Sequence, residues 1–156
     1  MQQVGLLVVS FLMETLIYVF FCISLVRAIH QVKPQNRTIE PSSIWLFLIP
    51  VFNLFWIFVI ISKMASSIKN ELEDRDYEVE ENPGYNIGLL VAVIPFLTYV
   101  FYLIDLFLIK NQVITIIIGT LGIMRLIFFI QYWMKISWYR RVLETNATEE
   151  DATSEE

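Results

Sequence analysis

One histidine and one cysteine are all that the 156 residues offer as imidazole and thiolate metal ligands. His30 has no second imidazole with which to share a metal ion, and Cys22 has no partner for an intramolecular disulfide. No G-x-S-x-G, H-E-x-x-H or phosphate-binding glycine loop occurs. The acidic run at residues 71–81 lacks the glycine and the ligand spacing of a calcium loop, so a solvated charge run is expected there. A net charge of −5 and the lack of a basic stripe argue against nucleic acid. The sequence therefore predicts no catalytic residue, no metal and no cofactor.

Charge is also missing from four long stretches. Residues of the classes AVILMFWYC make up 56% of the chain, and they are blocked into runs at about 4–26, 44–62, 87–109 and 113–134. The second run carries no charge, and the others carry one residue each: Glu14, Asp105 and Arg125. An α-helix needs ~20 apolar residues to cross the hydrocarbon layer, and each run is close to that length. Strict alternation is absent, which excludes a transmembrane β-barrel. The expected fold is all-α: a polytopic membrane protein with four transmembrane helices in an antiparallel bundle. The lipid bilayer is its first partner.

Between the runs the chain is polar. Pro34 and Pro41 mark a loop after the first helix, and Ser42 or Ser43 can cap the second. Met64, Ile68 and Leu72 recur at helical spacing, predicting a short amphipathic extension of helix 2 along the headgroups. Lys110-Asn111-Gln112 leaves room only for a tight turn between helices 3 and 4. One domain is expected over residues 1–143, with a disordered acidic tail at 144–156. Four spans put both termini on one side. Lys63, Lys69, Arg75, Lys135, Arg140 and Arg141 would share that side, against Arg27, Lys33, Arg37 and Lys110. Six against four predicts cytoplasmic termini, although the flanks of the first helix point the other way.

Three stretches carry a resemblance. "WLFLIPVFN", "NELEDR" and "YWMKI" resemble the W-x-x-L-I-P-x-F-N, N-E-[FL]-x-x-R and Y-W-x-K-I segments of a family of small bacterial inner-membrane proteins. The likeness runs from about residue 44 to 143. It departs at helix 3, where bulky "PFLTYVFYLID" stands in place of a glycine-rich stretch. The resemblance implies a four-helix inner-membrane protein and lends no activity.

Inside the runs, polar residues fall into stripes at 100° per residue. Ser10, Glu14 and Tyr18 share one face of helix 1, and Thr98, Tyr102 and Asp105 one face of helix 3. Asn53 is the strongly polar residue of helix 2, and Gly119 and Gly122 would let a helix approach helix 4 closely. Depth pairs the charges. Glu14 lies roughly 15 Å into its run, Arg125 roughly 14 Å into its own, and Asp105 only roughly 6 Å from a surface. Glu14 should therefore hold Arg125, with Asn53 as a third member. Two functions follow from this cluster. The first is a non-enzymatic accessory or assembly protein, whose membrane helices or acidic loop and tail contact a protein partner or a second copy. The second is a small transporter or channel built on Glu14, Asn53 and Arg125. Twelve Phe and seven Tyr leave little room for a cavity, which favours the first.

Overall fold

The computed structural model describes residues 2–77, 80–107 and 111–154, without the side chains of 2–4, 6, 7, 10 and 146–154. These residues are mostly helical, with no strand among them. Helix α1 spans Gln2–His30, α2 Asn53–Asp74, α3 Tyr85–Phe107 and α4 Gln112–Ser154. Between α1 and α2 lie a short 3-10 turn at Pro34–Asn36 and a longer 3-10 arm at Pro41–Leu48. Three helices are long and apolar enough to cross a membrane, over Phe11–His30, Tyr85–Phe107 and Gln112–Thr145.

The second apolar run is not one helix. Proline opens the arm at its first position, and Pro50 cannot donate the amide that would carry a helix through to Asn53. The chain reverses at 49–52, where Val51 takes a φ of 65°, an unusual conformation for a β-branched residue. Phe52, Asn53, Leu54, Phe55 and Trp56 donate their amides to carbonyls of Ile49 to Phe52, so these five amides are paired within the reversal. Ser43 accordingly caps no helix, and its hydroxyl donates to the Glu40 carbonyl instead.

Contacts give the direction of each piece. Along α1, Cys22 meets the Ile44 carbonyl and Tyr18 meets Phe47, so the arm runs back against α1. Helix α2 then returns beside the arm: the Trp56 indole donates to the Ser43 carbonyl, and Ser67 accepts the Thr38 amide. Arm and α2 form a helical hairpin whose two feet stand at the His30 end of α1. Helix α3 leaves from that same end, opposite in direction to α2, with Gly88 against Ile61 and Phe96 against Phe55. Helix α4 comes back down, with Arg125 at Glu14 and Trp133 at Ser24.

These directions correct the simple up-and-down bundle. Helices α1 and α4 are parallel, so the start of α1 and the end of α4 lie at opposite ends of the molecule. Of the four expected spans, three are helices long and apolar enough to cross a membrane, and the second run is divided between the arm and α2. The expected turn at Lys110-Asn111-Gln112 begins outside the described residues. The segment expected as a disordered tail continues α4 helically to Ser154. No glycine or proline follows Gly122 to interrupt the helix. Close helix approach occurs at Gly88, where an added Cβ would lie 2.6 Å from Ile61 and 2.8 Å from Tyr132. At Gly119 and Gly122 such an atom would meet nothing within 4 Å.

The amphipathic extension of α2 is present, but its apolar face turns into protein. Met64, Ile68 and Leu72 are buried in the same core as Ile29, Val32 and Leu143. Beside them Glu71 has no exposed surface. Its carboxylate accepts the Lys33 amide at 2.8 Å, the Asn36 side-chain amide at 2.9 Å, and Arg75 Nε and Nη2 at 2.9 and 2.7 Å. The Arg75 guanidinium also donates to the Leu143 carbonyl, at 3.1 Å, and to that of Gln31. The carboxylate thus joins the connecting loop to α2, and Arg75 carries the tie to Gln31 after α1 and to α4. The run 71–81 is not simply solvated, because Asp74 pairs with Lys33 and Glu80 with Lys135 as well.

Burial pushes the Glu71 carboxyl up, but Asn36, the Lys33 amide and the Arg75 guanidinium together outweigh it, and its pKa falls below the ordinary 4.5. A depressed folded-state value means that the unfolded chain binds more protons in acid. The stabilisation from Glu71 is whole above about pH 4.5 and is lost as pH falls through the folded value. Replacing Glu71 by Leu strands a guanidinium that is 5% exposed, and should cost ~3–5 kcal/mol. Glu71→Gln should flatten the acid limb of a thermal-melting series in detergent, relative to the parent chain. An unchanged acid limb would mean that other carboxylates carry the acid sensitivity.

Candidate functional site

A cavity of about 410 Å³ lies above the tip of the hairpin. Its walls come from every long element: Glu14 and Tyr18 of α1, Asn53 and Leu54 of α2, Thr98 and Tyr102 of α3, and Arg125 of α4. The cause is the hairpin itself. It fills the space between α1 and α3 at one end of the molecule and stops partway, leaving a void backed by α4. Helices α1 and α3 each pack on other elements and scarcely on one another, so the void opens between them.

The charged pair sits on the cavity wall. Arg125 donates to Glu14 Oε1 and to the Tyr18 hydroxyl, and Tyr18 donates to the same Glu14 oxygen at 2.7 Å. Glu14 and Tyr18 are one turn apart on α1, so a single helix face presents both to α4. Phe47 and Phe129 meet the Tyr18 ring edge-on at 5.0 and 6.3 Å, which fixes where its hydroxyl can point. The side chains of Arg125 and Glu14 are 38% and 49% exposed, so the pair faces an opening, not a sealed interior.

Of the residues singled out from sequence, the structure joins Glu14 to Arg125 directly. Asn53 lines the same cavity, but no hydrogen bond joins it to either charge among the described residues. It stands in the first turn of α2, at the hairpin tip, and not midway along a spanning helix. Thr98 and Tyr102 line the cavity too, with the Thr98 hydroxyl donating to the Ile94 carbonyl of its own helix. Asp105 is not in the lining and stands two residues before the end of α3. The Ser10 side chain lies outside the described residues. Among the described residues no group of His, Cys, Asp and Glu could hold a metal ion.

Sequence reasoning missed the hairpin residues Pro50, Val51 and Leu54 and the α3 residue Tyr99, all of which line the cavity. Pro50 was the available signal, because it forbids a helix through the middle of the second run. Proline also shapes the opposite wall. Pro95 lies inside α3 and cannot donate to the Val91 carbonyl, and both residues line the cavity. No family model matches the chain, and no curated protein and no solved structure matches it.

Truncating one member of the pair leaves the other charge without its counter-ion. Glu14→Leu and Arg125→Leu should each cost on the order of 1–3 kcal/mol, less than for a sealed pair because the cavity gives partial relief. The double Leu variant should recover much of that loss, and Asp105→Leu should be milder than either single change. Detergent melting curves of the four variants check this. Additive losses in the double variant would show that the two charges do not stabilise one another.

Proposed function

We propose that this chain is a non-enzymatic integral membrane protein that binds a small amphipathic molecule in the cavity above its hairpin. The observation that carries the reading is a cavity of about 410 Å³, mostly apolar, on which the charged pair of the long helices converges. That size and lining suit small-molecule sites, which are largely apolar with a few convergent polar groups. Ionisable side chains within spanning segments mark functional sites by default. An assembly role has less support: Glu71, Asp74 and Glu80 of the acidic loop are engaged in internal pairs. The bacterial inner membrane is proposed on the resemblance alone.

The hairpin reading also bears on orientation. We propose three spans, α1, α3 and α4, with the hairpin entering and leaving on one face. Arg27, Lys33, Arg37, Lys63, Lys69, Arg75, Lys135, Arg140 and Arg141 then gather at that face. They are nine of the eleven Lys and Arg residues; of the others, Arg125 is within α4 and Lys110 in the link from α3. This asymmetry replaces six against four, and the first helix no longer dissents. By the positive-inside rule the hairpin feet and the end of α4 are cytoplasmic, and the start of α1 is outside.

Single cysteines in a Cys22→Ala background test the topology in intact cells. Gln35→Cys and Asn82→Cys should both be shielded from an impermeant maleimide, and Gln3→Cys should react. Four spans would put residues 35 and 82 on opposite faces, and that pattern would sink the hairpin reading. Binding is tested with decanol and the protein in zwitterionic nanodiscs. Saturable binding above empty discs should fall at least about tenfold on filling the cavity with Thr15→Trp or Ile118→Trp. Equal binding by parent and filled variants would place the ligand elsewhere.

A further inference from the structure

The chemistry of the ligand's polar end can be read from the charges on the cavity wall, given that the cavity is a binding site. Glu14 and Arg125 are its only fully charged lining residues among those described, so the empty site is neutral with the two paired. Arg125 keeps its charge at any working pH. Its fork of donors already holds one carboxylate and one hydroxyl, both on α1. The guanidinium therefore stands ready-placed for a planar or tetrahedral oxyanion, with apolar wall beyond it for a chain. Entry of a second anion is disfavoured while Glu14 stays ionised, because the site would then hold two negative charges against one positive.

We infer that the cavity takes a single-chain, monoanionic amphiphile whose head displaces Glu14 from Arg125, and that Glu14 takes up one proton from water for each anion bound. The charge count closes: anion and proton enter together, and the occupied site is neutral like the empty one. The other groups that face Glu14 do not supply this proton balance. Tyr18 comes from α1 and Arg125 from α4; α3 contributes Tyr99 and Tyr102, and the hairpin contributes only the uncharged Asn53. Tyr18 has a separate part. With Glu14 protonated, its hydroxyl is released from the carboxylate and can donate to the incoming anion, so one anion gains two donors from opposite helices. The opening between α1 and α3 would admit the chain of such a molecule sideways from lipid.

Decyl sulfonate is the probe, because it does not protonate in the pH range used, and decanol is its neutral counterpart. Both are titrated by calorimetry into the full chain in zwitterionic nanodiscs, in two buffers of different ionisation enthalpy. The expected result is one proton taken up per sulfonate, with affinity rising about tenfold for each pH unit lowered between pH 8 and 6. Decanol should bind without proton uptake. Glu14→Gln should bind sulfonate with no proton uptake and no pH dependence. Glu14→Gln/Arg125→Gln, which removes both charges and spares the fold a lone one, should keep decanol and lose sulfonate by tenfold or more. Sulfonate binding that is independent of pH in the parent chain, or still proton-linked in Glu14→Gln, would overturn the inference while leaving the cavity as a binding site. Failure of both probes to bind would overturn the site itself.

Discussion

Four hydrogen bonds meet on the carboxylate of Glu71, and the arrangement of the hairpin depends on them. A buried carboxylate is tolerated only where donors replace its water, and here they come from the loop after α1 and from Arg75 one turn further along α2. Because those donors are fixed, the loop is pinned to α2, and both feet of the hairpin stay at the same end as His30. Arg75 carries the tie onward to α4 through the Leu143 carbonyl. The tip of the hairpin borders the cavity, so its position depends on its base. Glu71 is the group that sets it.

The consequences run upward from that base. The reversal pairs the amides of Phe52 to Trp56 with carbonyls of its own residues, as the hairpin placed in lipid by the reading proposed above would require. Trp56 straps the two limbs together, and Tyr18 and Phe21 hold Phe47 from α1. A hairpin that stops partway then leaves the void where a spanning helix would have packed. Cavity, charged pair and parallel α1 and α4 are in this sense one feature. Each follows from a second apolar run that turns back.

How much of this the sequence made legible depends on what each signal measures. Apolar run length reports whether a segment avoids water, so it found the three long helices and also the apolar second run. It cannot separate one pass from an in-and-out path, because both need a similar number of apolar residues; only Pro50, followed three residues later by Asn53, hinted at the turn. Depth matching pointed from Arg125 to Glu14 although the sidedness assumed was different. A residue at mid-depth is equally far from both faces, so the match survives inversion of either helix. It could not place Asn53, whose height depends on the path of the chain. Glu71 was illegible for another reason. Two of its four hydrogen bonds come from 35 and 38 positions away, in a loop whose fold no local pattern encodes; Arg75 stands at helical spacing, but an acidic run reads as solvated until something folds over it.

A hairpin of partial depth also makes the molecule unequal in girth. At the end where the hairpin stands, five helical rods lie side by side (α1, the arm, α2, α3 and α4), and at the other end three. Each rod has a diameter of about 10 Å with its side chains, so the difference is two helix cross-sections. In the orientation proposed above, the cytoplasmic leaflet must make room for more protein than the outer one. Such a wedge is relieved where the bilayer bows toward the cytoplasm, so copies of the chain would collect at membrane of that curvature without any sequence dedicated to sensing it.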